Sequence, residues 1–329
     1  MLTLRSCVIG VVAVLLVGPM AGCGGGDSSS PTAPTAVETP TAVAYGVCFA
    51  TSMSALQTPD FEVIRIPSGD PLSGREYDKC MKVFGVTILS TPSFSDTNLI
   101  YVATITAEYL DNNEDGVVDD LGTNSALLNS YATFFVAGSE FDGSGPQSTG
   151  RLEDFGPLAH IKHMARQYEH ETTPGGTLCG SRCGASGDST LEEMLHLIQK
   201  GGYAYAHPDL SSGDTFDRYR RVPNLLTEAM DVARGGYHPT TPAVYPDSAW
   251  YHYTHETEYY DHATEYFYWG LTTLFGAQGD LHSAQCEATI LEWEPCTRAK
   301  FEAMDVKLYA LLTNPLYKLP TQMPDGRYR

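Results

Sequence analysis

The chain has 329 residues, 42% of them hydrophobic and only 18% charged, enough apolar material for a sizeable core and too much for wholesale disorder. Its 40 acidic residues face 20 Lys and Arg, a net charge of −20. That balance excludes a nucleic-acid binder or a polybasic membrane-surface protein, since both need clustered cations, and it suits divalent cations and solubility.

In chain order, Arg5 precedes the apolar run 8–17. Such a run is too short for a bilayer span, which takes ~20 residues, and it reads as a signal peptide over 1–22. Met20-Ala21-Gly22-Cys23 resembles a bacterial lipobox, which implies lipidation of Cys23 as the mature N-terminus; an ordinary cysteine near a conventional cleavage site is the alternative. Gly, Ser, Pro, Thr and Ala dominate 23–43, a flexible tether. Gly24 after the cysteine resembles the outer-membrane sorting pattern of Gram-negative cells. The expectation is a globular domain over 44–329, anchored by lipid to the membrane of a bacterial cell envelope.

Within that domain, 84–90 reads as a buried strand, 98–110 and 125–131 as helices, 133–137 as a strand and 157–170 as a helix carrying His160, His163 and His170. Helices follow at 190–200, stopping at Gly201-Gly202, and at 224–234, stopping at Gly235-Gly236. Residues 237–256 are loop-like. A helix over 258–275 precedes a last one over 299–313, with Phe301, Met304, Leu308 and Leu311 on one face, ending before Pro315. Strands come early and helices late, so the fold class is α+β, one compact domain with a mainly helical C-terminal half.

Beyond Cys7 and Cys23, the cysteines are Cys48, Cys80, Cys179, Cys183, Cys286 and Cys296. An even number in an exported chain points to disulfides. The local pairs Cys179–Cys183 and Cys286–Cys296 are expected; a zinc knuckle at Cys179 and Cys183 would need a second ligand pair.

Residues 111–120 read Asp-Asn-Asn-Glu-Asp-Gly-Val-Val-Asp-Asp. Calcium wants six to eight oxygens, and a short loop supplies them at alternate positions. Asp111, Asn113 and Asp115 take positions 1, 3 and 5, Gly116 permits the sharp turn, the Val117 carbonyl serves position 7 and Asp119 position 9, while Val118 packs inward. The motif resembles an EF-hand loop, and still more the loops of dockerins and thrombospondin repeats. It departs at position 12, where Gly122 stands and Asp120 is the nearest compensation. The resemblance implies calcium in a structural role; the alternative is a polar turn between helices.

Residues 189–197 read Ser-Thr-Leu-Glu-Glu-Met-Leu-His-Leu. Glu192 and His196 are i and i+4, one above the other on a helix. The pattern resembles the HExxH helix of zincin metallopeptidases. That resemblance makes His196 a metal ligand and Glu193 the catalytic base, with Glu192 in place of the first His. Gluzincins take a third ligand from a Glu on a later helix, which Glu265 offers. Glu258, His262 and Glu265 share a second helix face and form another ligand set. The implied metal is zinc or another transition metal. Ser189 with Glu192, or Thr190 with Glu193, equally fits a capping box.

A di-iron carboxylate site lacks its second Glu-x-x-His motif, and neither a nucleophile elbow nor a P-loop is present. Eleven of the 20 tyrosines fall between Tyr203 and Tyr268, beside His252, His255 and His262. Such density lines peptide- or carbohydrate-binding clefts and also fills cores. Two functions are consistent with these features. One is a divergent zincin-like metallohydrolase stabilised by calcium; the other is a non-catalytic, calcium-stabilised binding or scaffold lipoprotein.

Overall fold

The structure, a computed structural model, describes residues 46–49, 59–139, 158–178, 187–255, 258–281 and 283–329. Contacts divide the chain into residues 1–43 and 44–329, and the described residues belong to the second unit. The signal peptide, Cys23, the tether and the Cys179–Cys183 pair lie outside the described residues. Among those described, no helix is long and apolar enough to cross a membrane.

One mixed sheet runs in the order β1 (Ile64–Arg65), β2 (Lys79–Val83), β3 (Val86–Ser90), β4 (Thr133–Ala137) and β5 (Met164–Tyr168). β1, β2 and β3 pair antiparallel, while β3, β4 and β5 pair parallel. A parallel pair needs a long crossover, which α1 (Asp96–Leu110) and α2 (Leu121–Asn129) supply between β3 and β4. β3 and β4 are buried at every residue, so they read as unbroken apolar runs. Alternate residues serve opposite faces: Val86, Ile88, Phe134 and Val136 join the main core, and Cys80, Leu89 and Phe135 join a smaller one behind the sheet.

The strand expected over 84–90 begins at Val86, because Phe84 and Gly85 form the β2–β3 turn with φ of 47° and 98°. Two-residue hairpin turns demand such angles. A Phe there is unusual; it is held by full burial of its ring and by its carbonyl, which accepts from Asn124 Nδ2 at 2.8 Å. The helix expected over 157–170 is also corrected, since β5 occupies its second half. The core-facing residue of β5 is Gln167, whose amide donates to Glu171 O, Thr172 Oγ1 and Thr190 Oγ1. A polar residue at the buried position hides the alternation that marks a strand.

α1 is buried on nearly all sides, as a central helix must be. α2 starts at Leu121 rather than 125 because Asp120 caps it, accepting from Gly122 N and Thr123 N. α3 (Thr190–Ile198) does not stop at Gly201-Gly202. It continues through a π-helical turn, Gln199–Tyr203, into the short α4 (Ala204–Ala206). The glycines instead allow close packing: a Cβ on Gly202 would lie 2.8 Å from Thr123 Cγ2 and 3.0 Å from Leu127 Cγ.

α5 (Leu225–Ala233) ends at Gly235-Gly236 as expected. α6 (Tyr259–Leu274) is the axis of the helical half, followed by α7 (Ser283–Thr289), α8 (Arg298–Met304) and α9 (Val306–Leu312). α5, α8 and α9 pack around α6. The single helix expected over 299–313 is split by Asp305, which caps α9 through Leu308 N and accepts from Trp250 Nε1 and Tyr266 Oη. Phe301, Leu308 and Leu311 are buried, whereas Met304 is exposed. Cys286 pairs with Cys296, and Cys48 pairs with Cys80, tying the first described segment to β2. The fold is α+β, with the helices in the C-terminal half.

Candidate metal centre

Asp188 stands two residues before α3, and its Oδ1 accepts from Thr190 N at 3.1 Å. Ser189 makes no side-chain capping bond. Neither capping box exists, so Glu192 and Glu193 are not tied to the helix end. This corrects the capping reading of both residues.

α3 packs against α6, and the facing stripes meet. His196 Nε2 lies 3.6 Å from Glu265 Oε1. One ligand atom from each of Glu192, His196 and Glu265 falls within 4.8 Å of the others. Among the described residues this is the one group of three His, Cys, Asp or Glu side chains gathered so closely. The side chains of His196 and Glu265 are 8% and 11% exposed, and Glu192 is partly buried. His196 Nε2 is buried and has no hydrogen-bond partner among the described residues. The Tyr268 hydroxyl, one turn along α6 from Glu265, donates to Glu192, and its ring meets the His196 ring edge-on at 5.6 Å.

The electrostatics are those of charge crowded into low dielectric. Burial, and then the negative charge of Glu192, push Glu265 well above the usual carboxylate range. Burial and the neighbouring Glu193 raise Glu192 against the pull of Tyr268. Burial raises Glu193 too, with Lys200 drawing it back. Burial, aided by Lys200, holds His196 well below its ordinary value and hence neutral. The arrangement is two carboxylates that resist ionising side by side and, beside them, a neutral imidazole whose Nε2 has no hydrogen-bond partner among the described residues.

The second ligand set does not assemble. Glu258 pairs with Arg218, and His262 Nε2 faces Thr241 Oγ1 at 3.1 Å. His255 is bound to Glu292, at 2.7 Å. Seven of the eleven clustered tyrosines are buried (Tyr203, Tyr251, Tyr253, Tyr259, Tyr260, Tyr266 and Tyr268), and there they serve mainly as core. Sequence reasoning missed Tyr268 and Lys200; only the i, i+4 step from His196 to Lys200 hinted at either.

The loop at 111–119 curls around its own carboxylates. Asp111 is fully buried and accepts from Asp115 N and Gly116 N, and Asp119 accepts from Asn112 N. Gly116 has φ of 84°, as the expected sharp turn requires, and Val118 packs on the core while Val117 is exposed. Asn113 and Asp115 bond each other and the loop backbone. Burial and the charges of Asp111 and Asp115 push Asp119 up. Asp120 does not compensate for Gly122. It is spent on the α2 cap and on His207 Nε2 at 2.7 Å. The C-terminal segment closes over the loop, with Thr321 N and Gln322 N donating to Asn112, Tyr328 Oη to Asp111 and Arg329 N to Glu114.

A cavity of about 280 Å³ lies between Tyr101, Leu178, Leu191, Leu281, Met323 and Arg327. None of Glu192, His196 and Glu265 lines it. No protein family, curated protein or solved structure matches the chain.

Proposed function

We propose that this chain is a divergent zincin-like metallohydrolase in which Glu192, His196 and Glu265 hold a divalent transition ion. The observation that carries the reading is the buried Nε2 of His196, without a hydrogen-bond partner among the described residues, gathered with the carboxylates of Glu192 and Glu265. One imidazole and two carboxylates suit zinc, and the oxygen-rich set also suits manganese or iron. The residues present therefore fit the ion that the helix pattern implies. When bound, such an ion polarises a scissile carbonyl and lowers the pKa of a water. Glu193, next in sequence to a ligand and raised by burial, accepts the proton of the attacking water and returns it to the leaving group. Tyr268 fixes the orientation of Glu192.

The same reading includes export, with Cys23 lipidated and the domain held at the cell envelope, the outer membrane in a Gram-negative cell. It also includes calcium at Asp111, Asn113, Asp115, the Val117 carbonyl and Asp119. The curled loop and the raised Asp119 support a cation there. Its role is structural, because the C-terminal segment rests on that loop. Elemental analysis of the purified full chain should find one transition ion per chain in wild type and none in His196→Ala. Equal metal in both overturns the assignment. A calcium-selective chelator should lower the melting temperature of wild type but not of Asp115→Ala, and Cys23→Ser should leave the membrane fraction.

The second reading is a non-catalytic binding or scaffold lipoprotein for a peptide or carbohydrate. The closure of the triad favours it, since His196 and Glu265 show little surface to a substrate. A metal-loaded protein that hydrolyses no peptide or ester in a broad library would decide for it.

A further inference from the structure

Lys200 follows His196 by four residues, where α3 passes into the π-helical turn. Turns of this kind are rare and concentrate at functional sites. The helix can take this path because Gly201 and Gly202 bring it hard against His163, Thr123 and Leu127. The Lys200 ammonium lies 3.8 Å from Asp261 Oδ1 and 5.7 Å above the Tyr260 ring. Among the described residues it donates no hydrogen bond at normal length. Asp261 does not depend on it, since Arg218 Nη2 reaches both Asp261 oxygens and Arg218 Nε holds Glu258. The Lys200 side chain is 25% exposed, against 8% and 11% for His196 and Glu265. Lys200 is therefore more exposed than His196 and Glu265, and only a long ion pair and a ring contact engage its ammonium. Its charge still reaches inward, drawing Glu193 and Glu265 down against burial.

We infer that Lys200 anchors the substrate of this site, and that the substrate carries an oxyanion, a carboxylate or a phosphate, beside the bond that is attacked. The inference rests on the metal-centre reading above. An ion held by Glu192 and Glu265 offsets their charges, and Arg218 offsets Asp261. Lys200 is then a cation beside the site whose carboxylate neighbour, Asp261, is already held by Arg218, and it is a compact point charge with three donors. A charge-assisted hydrogen bond from it fixes one end of the substrate while the neighbouring carbonyl or phosphoryl group lies among Glu192, His196 and Glu265. A neutral substrate gives the ammonium nothing stronger than its 3.8 Å contact with Asp261, which is the basis of the selectivity.

The test uses the full chain loaded with Co²⁺, whose visible d–d absorption reports on groups that reach the ion. Inorganic phosphate and succinate are the probes, and comparing them separates the two anion types. Lys200→Gln should take up Co²⁺ at least as tightly as wild type and show the same d–d band. It should bind the anion at least fivefold more weakly, and Lys200→Arg should recover most of the loss. A smaller loss in Lys200→Gln, or a wild-type cobalt protein that answers to neither anion, overturns the role of Lys200 and leaves the metal centre standing. A folded wild-type chain that takes up no Co²⁺ overturns the metal centre and this inference with it.

Discussion

His196 turns Nε2 to within 3.6 Å of the Glu265 carboxylate, and no hydrogen bond occupies that nitrogen among the described residues. Leaving a buried polar atom unpartnered costs about 1–3 kcal/mol. Protonation of the imidazole would create an ion pair, but burial and Lys200 hold His196 neutral. The charge of Glu192 raises the cost of ionising Glu265 across the same space. A bound cation relieves the orphaned nitrogen and both carboxylates at once, while a shared proton relieves only the carboxylates.

The first prediction is a change of sign. In metal-free protein, Glu265→Gln should raise the melting temperature, because a neutral amide replaces a buried carboxylate that resists ionising. With a transition ion at a thousandfold its Kd, wild type gains about 4 kcal/mol and the variant little. Thermal melts in chelator and in Zn²⁺ should therefore cross. A variant less stable than wild type by the same amount in both buffers would show that Glu265 is structural only.

The pH dependence of the metal-free protein follows from the same groups. Burial pushes Glu192 up to about 7, from an unfolded value of 4.5. Between those values the folded state binds the proton and the unfolded state does not, so stability falls as pH rises from 4.5 and the loss is complete above 7. At 1.36 kcal/mol per unit the loss from Glu192 is at most about 3 kcal/mol. Urea unfolding of chelated protein should show its midpoint dropping from pH 5 to pH 8. With metal the slope should reverse, because protons compete with the ion. A flat profile in chelator would mean that these carboxylates are solvated.

Much of the site was legible because it depends on local geometry. Glu192 and His196 meet through one helix step, and α6 is a long apolar helix that carries Glu265 with it. The strand 133–137 and the end of α5 at Gly235-Gly236 were equally plain, one marked by an apolar run and the other by paired glycines. Three of the misreadings share a cause, a residue with a partner distant in the chain. Gln167 occupies a core position through bonds to Thr172 and Thr190, so β5 does not alternate. Gly202 serves the approach of α2 rather than a helix end. Asp305 splits a periodic helix because Trp250 and Tyr266 bind it. Tyr268 was hidden among many tyrosines, and only the packing of α6 on α3 sets it apart.

Tyr268→Phe removes the hydroxyl that donates to Glu192 while keeping the ring beside His196. Loss of a group that orients a ligand typically costs roughly 10–100-fold in metal affinity. Competition with a chromophoric chelator should show a drop in that range, with an unchanged fold by circular dichroism. If affinity changes less than about threefold, Glu192 is positioned by the helix alone.

The two disulfides should differ in worth in a set order. Cys48–Cys80 closes 32 residues of sequence and Cys286–Cys296 closes 10. The chain-entropy account makes a cross-link more stabilising as its loop lengthens, which gives about 4 kcal/mol for the first and about 3 for the second. Packing acts in the same direction. Cys48 and Cys80 are fully buried behind the sheet, so replacing them also opens space in the smaller core, whereas Cys286 is only partly buried. Paired alanine variants of each bridge, compared by urea unfolding midpoints, should rank Cys48/Cys80 as the more damaging. The opposite order would mean that the short bridge holds the Gly279 backbone, which hydrogen-bonds Cys296 O, against the end of α6, and that native contacts outweigh loop entropy here.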